Sequence, residues 1–152
     1  MNSKYILLVE DNPDDVKLTQ RAFKKWNIAN EMIVAEDGAK ALEHLFGERP
    51  AANPGEPLSQ LALILLDVNL PKVNGLEVLQ RLRADPHLRR TPVVMLTSSQ
   101  EEQDILRSYD LGANSYIRKP VDFQQFAEAA RLLGMYWLLL NEVEPNKPGR
   151  HG

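Results

Sequence analysis

The chain has 152 residues, with 18 Lys or Arg against 21 Asp or Glu, so its formal net charge is −3. This length fits one domain that can bury a core without cross-links, and the absence of cysteine excludes a disulfide scaffold or a thiolate metal site. The acidic balance argues against a nucleic-acid partner, because such domains are normally basic. The apolar runs at 5–9 and 132–140 are too short for a signal peptide or a membrane span, so we expect a cytoplasmic protein with no membrane partner.

Short apolar runs alternate with longer amphipathic segments along the chain. A strand buried on both faces of a parallel sheet is apolar throughout, and such runs predict strands at 5–9, 32–35, 61–66 and 92–96, while 114–117 is predicted as a short fifth strand. Helical spacing of the apolar side chains predicts helices at 13–26, 38–46, 75–84, 101–111 and 123–141. The alternation indicates an α/β fold with a parallel sheet and helices on both faces.

Local signals mark where these elements begin and end. Asn12 followed by Pro13 predicts a helix start, and Asp122 predicts the cap of the last helix. The prolines and glycines in 47–60 predict a surface loop. We therefore expect a single domain over 4–143 and a disordered tail over 144–152.

Polar residues follow four of the predicted strands. They are the pair Glu10-Asp11, then Asp67, then Thr97 with its two serines, and finally Lys119. Each is ordinary alone, since acidic pairs commonly cap helices and lysines before proline are commonly solvated. In an open parallel sheet, however, the carboxyl ends of the strands share one edge, where active groups lie. The combination therefore predicts a functional site.

The chemistry of this set favours a phosphoryl group. Three clustered carboxylates repel one another, and a hard divalent cation such as Mg²⁺ relieves this repulsion through oxygen ligands. Lys119 adds a second positive charge and Thr97 a hydroxyl. A carboxylate can act as the nucleophile and form an aspartyl-phosphate, and phosphoryl transfer depends mainly on positioning and charge neutralisation.

These motifs resemble the receiver domain of two-component response regulators. The resemblance covers 4–141 and rests on ILLVEDN at 6–12, LLDVNLPKVNG at 65–75, PVVMLTS at 92–98 and YIRKP at 116–120. It implies a doubly wound, flavodoxin-like fold with five helices around a five-stranded sheet in the order 2-1-3-4-5. It also implies that Asp67 accepts a phosphoryl group from a histidine kinase.

The resemblance further implies roles for the other site residues. Thr97 and Lys119 would contact the phosphoryl oxygens, and Thr97 with Tyr116 would form a switch that changes the surface of the fourth helix, fifth strand and fifth helix. The metal would be Mg²⁺, with Mn²⁺ or Ca²⁺ as substitutes. Its ligands would be Glu10, Asp11, Asp67 and the backbone carbonyl of Asn69.

A narrower resemblance is to the small phytochrome-associated response regulators of cyanobacteria. It rests on the long loop at 47–60, DVNLPK at 67–72 and YWL at 136–138. It implies a bilin photoreceptor histidine kinase, that is a phytochrome, as the phosphodonor. Because the sequence ends soon after the fifth predicted helix, we expect no attached output domain.

The last predicted helix is apolar on two faces. One face would cover the sheet, while the other carries Leu132, Tyr136, Leu139 and Val143. A contiguous exposed apolar patch usually marks an interface, so we expect a homodimer formed across a two-fold axis. The alternative is that the tail folds back over this face.

Three functions are compatible with these observations. The first is a phosphorylation-switched signalling protein that is not an enzyme acting on outside substrates. The second is a receiver-like docking module without phosphate turnover. The third is a dehalogenase-like phosphatase, which would require a second aspartate two positions after the nucleophile, where this chain has Asn69. The kinase and the downstream target cannot be identified from the sequence.

Overall fold

A five-stranded parallel sheet organises the computed structural model, which describes residues 4–47, 60–99, 102 and 115–135. The strands are β1 (Tyr5–Val9), β2 (Glu31–Ala35), β3 (Leu61–Asp67), β4 (Val93–Thr97) and β5 (Ser115–Arg118). Their order is β2-β1-β3-β4-β5 and every neighbouring pair is parallel. The predicted strand order is confirmed, and each predicted strand is within one residue of its observed bounds.

Four helices lie within the described residues. They are α1 (Pro13–Lys25), α2 (Gly38–Phe46), α3 (Gly75–Ala84) and α4 (Phe123–Leu132). The helix predicted at 101–111 lies outside the described residues except for Glu102, and so do positions 48–59 of the predicted loop and the predicted tail. No helix in the described part of the chain has the length and apolarity needed to cross a membrane.

The sheet buries both of its faces, as continuous apolar strands require. β1 and β3 are buried along their whole length, and alternate side chains enter two separate core clusters. One cluster lies under α2 and α3 and includes Leu45 and Leu79. The other lies under α1 and α4, where the rings of Phe23 and Phe126 are 4.7 Å apart.

Short polar side chains cap the helices where the chain leaves a strand. Asn12 Oδ1 accepts a hydrogen bond from Asp14 N at 2.8 Å, and Asp122 Oδ1 accepts one from Gln125 N at 2.8 Å. Both predicted caps are thus confirmed. They satisfy amide groups that have no partner within the first turn. Because each helix begins just after a strand ends, its first turn lies at the carboxyl edge of the sheet.

The last helix ends earlier than predicted, at Leu132 instead of near residue 141. Gly134 has a φ of 69°, Gly134 N donates to Arg131 O at 3.1 Å, and Met135 N donates to Ala130 O at 2.7 Å. These paired bonds around a left-handed glycine form a Schellman motif, which closes a helix. The prediction of one continuous helix through this point is therefore wrong.

This helix end changes the basis of the predicted interface. Leu132 is exposed, with 62% of its surface accessible, as the prediction requires. Tyr136, Leu139 and Val143 lie outside the described residues. They were placed on one face with Leu132 by assuming an unbroken helix, so their alignment with Leu132 does not follow from this structure.

Candidate functional site

The predicted site residues meet at the carboxyl edge of the sheet. Asp67 is the last residue of β3, and β3 lies between β1 and β4. Glu10 follows β1 directly, and Thr97 is the last residue of β4. Chain positions far apart in sequence therefore flank the carboxyl group of Asp67 because of the strand order.

Three carboxylates at this edge could hold a metal ion. Glu10, Asp11 and Asp67 each offer an oxygen, and these oxygens lie within 4.8 Å of one another. Glu10 and Asp67 are each only 2% exposed, whereas Asp11 is exposed. An all-oxygen set with one side open to solvent suits a hard cation that keeps some of its water ligands. The residues present thus fit a Mg²⁺-type ion.

Lys119 reaches this cluster from the loop after β5. Its Nζ lies 3.0 Å from Asp67 Oδ2, 3.2 Å from Glu10 Oε1 and 3.1 Å from Asp15 Oδ2. Its backbone amide donates to Thr97 O at 2.7 Å, and the following peptide bond, to Pro120, is cis. One ammonium group therefore faces three carboxylates, two of which, Glu10 and Asp67, belong to the predicted set.

Burial and mutual repulsion change the proton affinity of the site. The pKa of Glu10 is raised to about 7, first by burial and then by its hydrogen bond with and repulsion from Asp67, which together outweigh the lowering by Lys119. Burial by itself lowers the pKa of Lys119, but hydrogen bonds and attraction to Asp67, Asp15 and Glu10 outweigh this and raise it above its ordinary value. Lys119 is thus positively charged, and the pKa of Glu10 lies near neutral pH.

Asp15 belongs to the site although the sequence analysis did not select it. It lies in the first turn of α1, and its side chain is 29% exposed. It is four positions after Asp11, and the predicted start of α1 at Pro13 already placed this turn at the carboxyl edge. The available signal was this spacing, but spacing alone does not show that the side chain turns toward Lys119.

The loop after β3 holds Asp67 in place. Asn69 N donates to Asp67 Oδ1 at 3.0 Å, and Gly75 N donates to Val68 O at 3.0 Å. A Cβ atom on Gly75 would lie 2.2 Å from Asp67 O, so only glycine allows α3 to start this close to the strand end. Glycine in the Asn74-Gly75 pair is therefore required for a backbone reason.

The two predicted switch residues lie on neighbouring strands. Thr97 is fully buried, and its Oγ1 lies 3.5 Å from Ile117 O, at the outer limit of a hydrogen bond. Tyr116 is half-buried and packs against the core cluster under α2 and α3. The hydrogen bond from the Thr97 hydroxyl to the Ile117 carbonyl is therefore weak. Tyr116 precedes Ile117 in the same strand, so the two switch residues are linked through this contact.

Glu102 is a second residue at this edge that sequence reasoning missed. Its Oε1 accepts from Ser98 N at 2.6 Å and its Oε2 accepts from Asn69 Nδ2 at 2.6 Å. Ser99 and Glu102 have the Ser-x-x-Glu spacing of a capping box, which was the available signal. That spacing predicts a helix start but not a contact with Asn69.

The response regulator receiver domain family matches residues 6–131. The chain belongs to this family. Receiver domains bind divalent metal and act with histidine kinases, and single-domain members are signalling proteins, not enzymes.

Individual relatives extend this result. The response regulator Rcp1 of Synechocystis sp. is 38% identical over 135 residues, which are 89% of each chain. The structure of the bacteriophytochrome response regulator AtBRR is 51% identical with a TM-score of 0.84, covering 93% of this receiver and all of that chain. The structure of the phosphorylated cyanobacterial phytochrome response regulator RcpA is 37% identical with a TM-score of 0.66, covering 95% and 97% of the two chains.

These relatives confirm the predicted resemblance to phytochrome response regulators. The identity to AtBRR is 51%, against 38% to Rcp1 and 37% to RcpA. Rcp1 has also been solved in an Mn²⁺-bound form, at 36% identity and a TM-score of 0.67, covering 95% of this receiver and 97% of that chain.

Proposed function

We propose that this receiver accepts a phosphoryl group on Asp67 from a histidine kinase, and that the kinase is a phytochrome-type photoreceptor. The observation that carries the proposal is the position of the Asp67 carboxyl, buried at the sheet edge between Lys119 and two further carboxylates. The phytochrome part is supported by the likeness to AtBRR and RcpA.

In the proposed reaction an oxygen of Asp67 attacks phosphorus in the phosphohistidine of the kinase. The phosphorus–nitrogen bond breaks as the phosphorus–oxygen bond forms, and the imidazole keeps the electron pair of the broken bond. Lys119, already 3.0 Å from Asp67 Oδ2, attracts the transferred charge. The Thr97 hydroxyl leaves its weak contact with Ile117 O and donates to a phosphoryl oxygen.

Mg²⁺ is the proposed cofactor, with Glu10, Asp11, Asp67 and the carbonyl of Asn69 as its ligands. When bound, it supplies positive charge that neutralises the phosphoryl oxygens. The three carboxylates lie close together, and among the described residues Lys119 is the cation that forms ion pairs with two of them. Their remaining negative charge favours the binding of a metal ion. Mn²⁺ and Ca²⁺ offer the same oxygen preference and are expected to substitute in binding.

The output of the proposed reaction is a shift between two conformations. Movement of Thr97 toward the phosphoryl group vacates space that Tyr116 can enter, and the surface formed by 101–111, β5 and α4 changes as a result. Amide hydrogen exchange over residues 101–140 tests this coupling, since an identical pattern with and without a phosphate analogue contradicts it.

The main test is incubation with acetyl phosphate and Mg²⁺ followed by intact-mass spectrometry. A labile adduct of one phosphoryl group is expected, and it must be absent from Asp67→Asn. Full labelling of Asp67→Asn at a single site contradicts the assignment. A protein that takes up no phosphoryl group at all, under conditions that label another receiver, would instead be the docking module considered above.

We also propose that the receiver forms a homodimer through the exposed face that includes Leu132. Replacing Leu132 with Asp should then yield a folded monomer in sedimentation, while Leu18→Asp, a matched change at a half-exposed leucine of α1, leaves the dimer intact. A wild-type monomer at micromolar concentration contradicts this proposal. A cytoplasmic location remains a prediction from the sequence.

A further inference from the structure

The carboxylate of Glu102 occupies two hydrogen-bond donors that border the Asp67 carboxyl. Ser98 N–H is the first donor after β4, and the side-chain amide of Asn69 is two residues after Asp67; each lies 2.6 Å from a different oxygen of Glu102. Because Asp67 pairs in register with Leu96, Asn69 and Ser98 come opposite each other just beyond the strand ends. Glu102 therefore bridges the two chain segments that leave the sheet beside Asp67.

Helix capping accounts for only part of this geometry. Ser99 Oγ accepts from Glu102 N at 3.1 Å, which is half of a capping box. In a capping box the glutamate returns to the amide of the capping residue itself, which here is Ser99. Glu102 instead binds the amide of Ser98, one residue earlier, and reaches across to Asn69. The second contact has no place in helix capping.

Asn69 connects Glu102 to Asp67 directly. The backbone amide of Asn69 donates to Asp67 Oδ1 at 3.0 Å while its side-chain amide donates to Glu102. A phosphoryl group on Asp67 would carry roughly −1.5 to −2 charge and place three strong acceptor oxygens beside these donors. Lys119 is on the other carboxyl oxygen, Oδ2. The donor on Oδ1 is thus the backbone amide of Asn69, and Glu102 holds the side-chain amide of the same residue together with Ser98 N–H on the facing chain segment.

We propose that Glu102 is an internal competitor for these donors and that a phosphoryl group on Asp67 displaces it. The inference rests on the proposed phosphorylation of Asp67 and adds a regulatory element to it. In the resting state Glu102 ties the end of β4 to the loop after β3. The phosphoryl group repels the Glu102 carboxylate and takes over both of its donors, so the link between β4 and the loop after β3 is broken. While Glu102 remains in place, it weakens the binding of a phosphoryl group at Asp67.

The test is the dissociation constant for beryllofluoride, a phosphoryl mimic, in the presence of Mg²⁺, followed by amide resonances of the full chain. Glu102→Gln removes the charge but keeps the shape and the ability to cap. We expect it to bind beryllofluoride about three- to tenfold more tightly, as expected for removing one nearby like charge. Glu77→Gln is the matched control, because Glu77 is exposed in the first turn of α3 at the same sheet edge.

A second measurement needs no substitution. In the wild-type protein the side-chain carboxyl carbon resonance of Glu102 must shift as beryllofluoride saturates the site, because the carboxylate loses two short hydrogen bonds, while that of Glu77 stays in place. A Glu102 resonance that does not move overturns the inference.

The outcomes separate this inference from the proposed function. Unchanged or weaker beryllofluoride binding by Glu102→Gln, with normal binding by the wild type, overturns the role of Glu102 and leaves Asp67 as the acceptor. Failure of the wild type to bind beryllofluoride overturns both. If Glu77→Gln binds beryllofluoride more tightly to the same degree, the inference about Glu102 is also overturned, since the effect would then come from the lower net negative charge of the protein.

Discussion

Lys119 and its carboxylates show how much of this site depends on the balance of charge at single residues. One ammonium group lies within 3.2 Å of oxygens from Asp67, Asp15 and Glu10, and its side chain is 18% exposed. A buried carboxylate without a partner is costly, so each of these groups depends on the others. A substitution at any one of them therefore changes the proton or metal affinity of the rest.

Asp15→Asn tests the residue that the sequence did not reveal. It removes one of three charged partners of Lys119, so the pKa of Lys119 should fall toward its ordinary value and the free energy of unfolding should fall by about 1 kcal/mol. Side-chain resonances of Lys119 during alkaline titration and urea unfolding are the measurements. Asp14→Asn is the control, because Asp14 is exposed and shares only the helix-end position. If the two changes have equal effects, Asp15 acts only as a negative charge that interacts favourably with the N-terminus of α1.

Glu10 gives the metal-free protein a specific pH dependence. Its pKa is raised from 4.5 to about 7 on folding, first by burial. Between these values the folded chain holds more protons than the unfolded chain, so the free energy of unfolding falls as pH rises through this window. At about 1.4 kcal/mol per pKa unit the loss is at most about 3 to 4 kcal/mol.

Glu10→Gln should remove this part of the pH dependence. Urea unfolding at about pH 5 and about pH 7.5 in chelator-treated buffer measures it, and the difference between the two pH values should be smaller for the variant than for the wild type. If wild type and variant lose the same stability over that interval, Glu10 is not the group responsible.

At the scale of elements, continuous apolar runs predicted four of the five strands, and the capping signals at Asn12-Pro13 and Asp122 predicted two of the helix starts. Each of the four described helices has a polar N-cap at its start: Asn12, Asp37, Asn74 and Asp122. The end of α4 was not predictable in the same way, because Leu133 and Met135 continue an apolar pattern and a glycine is tolerated inside a helix. Met135, which is 3% exposed, joins the core under α1 and α4, so tertiary burial decides where the helix stops.

Substitution of Gly134 tests that helix end. Its φ of 69° is unfavourable for any residue with a Cβ atom, although a Cβ there would meet no atom within 4 Å. Gly134→Ala should therefore destabilise the receiver by about 1 kcal/mol through backbone conformation alone. Gly134→Asn should cost less, because asparagine tolerates this region better. Chemical denaturation measures both, and an unchanged or higher stability of the alanine variant would show that the helix runs on past Gly134, as the apolar pattern predicted.

At the scale of the whole molecule, the site exists only in the folded chain. Lys119 and Glu10 are 109 positions apart, and Lys119 and Asp67 are 52 apart. The alternation of strands and helices was enough to bring these residues to one edge. Which side chains then turn toward each other, as Asp15 and Glu102 do, depends on helix rotation and loop paths that a single sequence does not specify.

This long-range assembly leads to a prediction about stability in the presence of metal. The unfolded chain does not gather Glu10, Asp11 and Asp67, so Mg²⁺ should bind the native state alone and stabilise it by mass action. At a concentration of about 100 times the dissociation constant the gain is about 2.7 kcal/mol, which thermal unfolding detects as a higher midpoint.

Asp11 provides the variant that separates binding from charge screening. It is the exposed member of the three carboxylates, so Asp11→Asn should change metal-free stability little and yet lose most of the stabilisation by Mg²⁺ at the same concentration. Asp14→Asn removes one charge three positions away and should keep the full effect. The comparison is made at equal ionic strength, because added salt also screens the repulsion among the carboxylates. If Mg²⁺ raises the unfolding midpoint of both variants as much as that of the wild type, the ion is not held by this cluster, and the proposed ligand set is wrong.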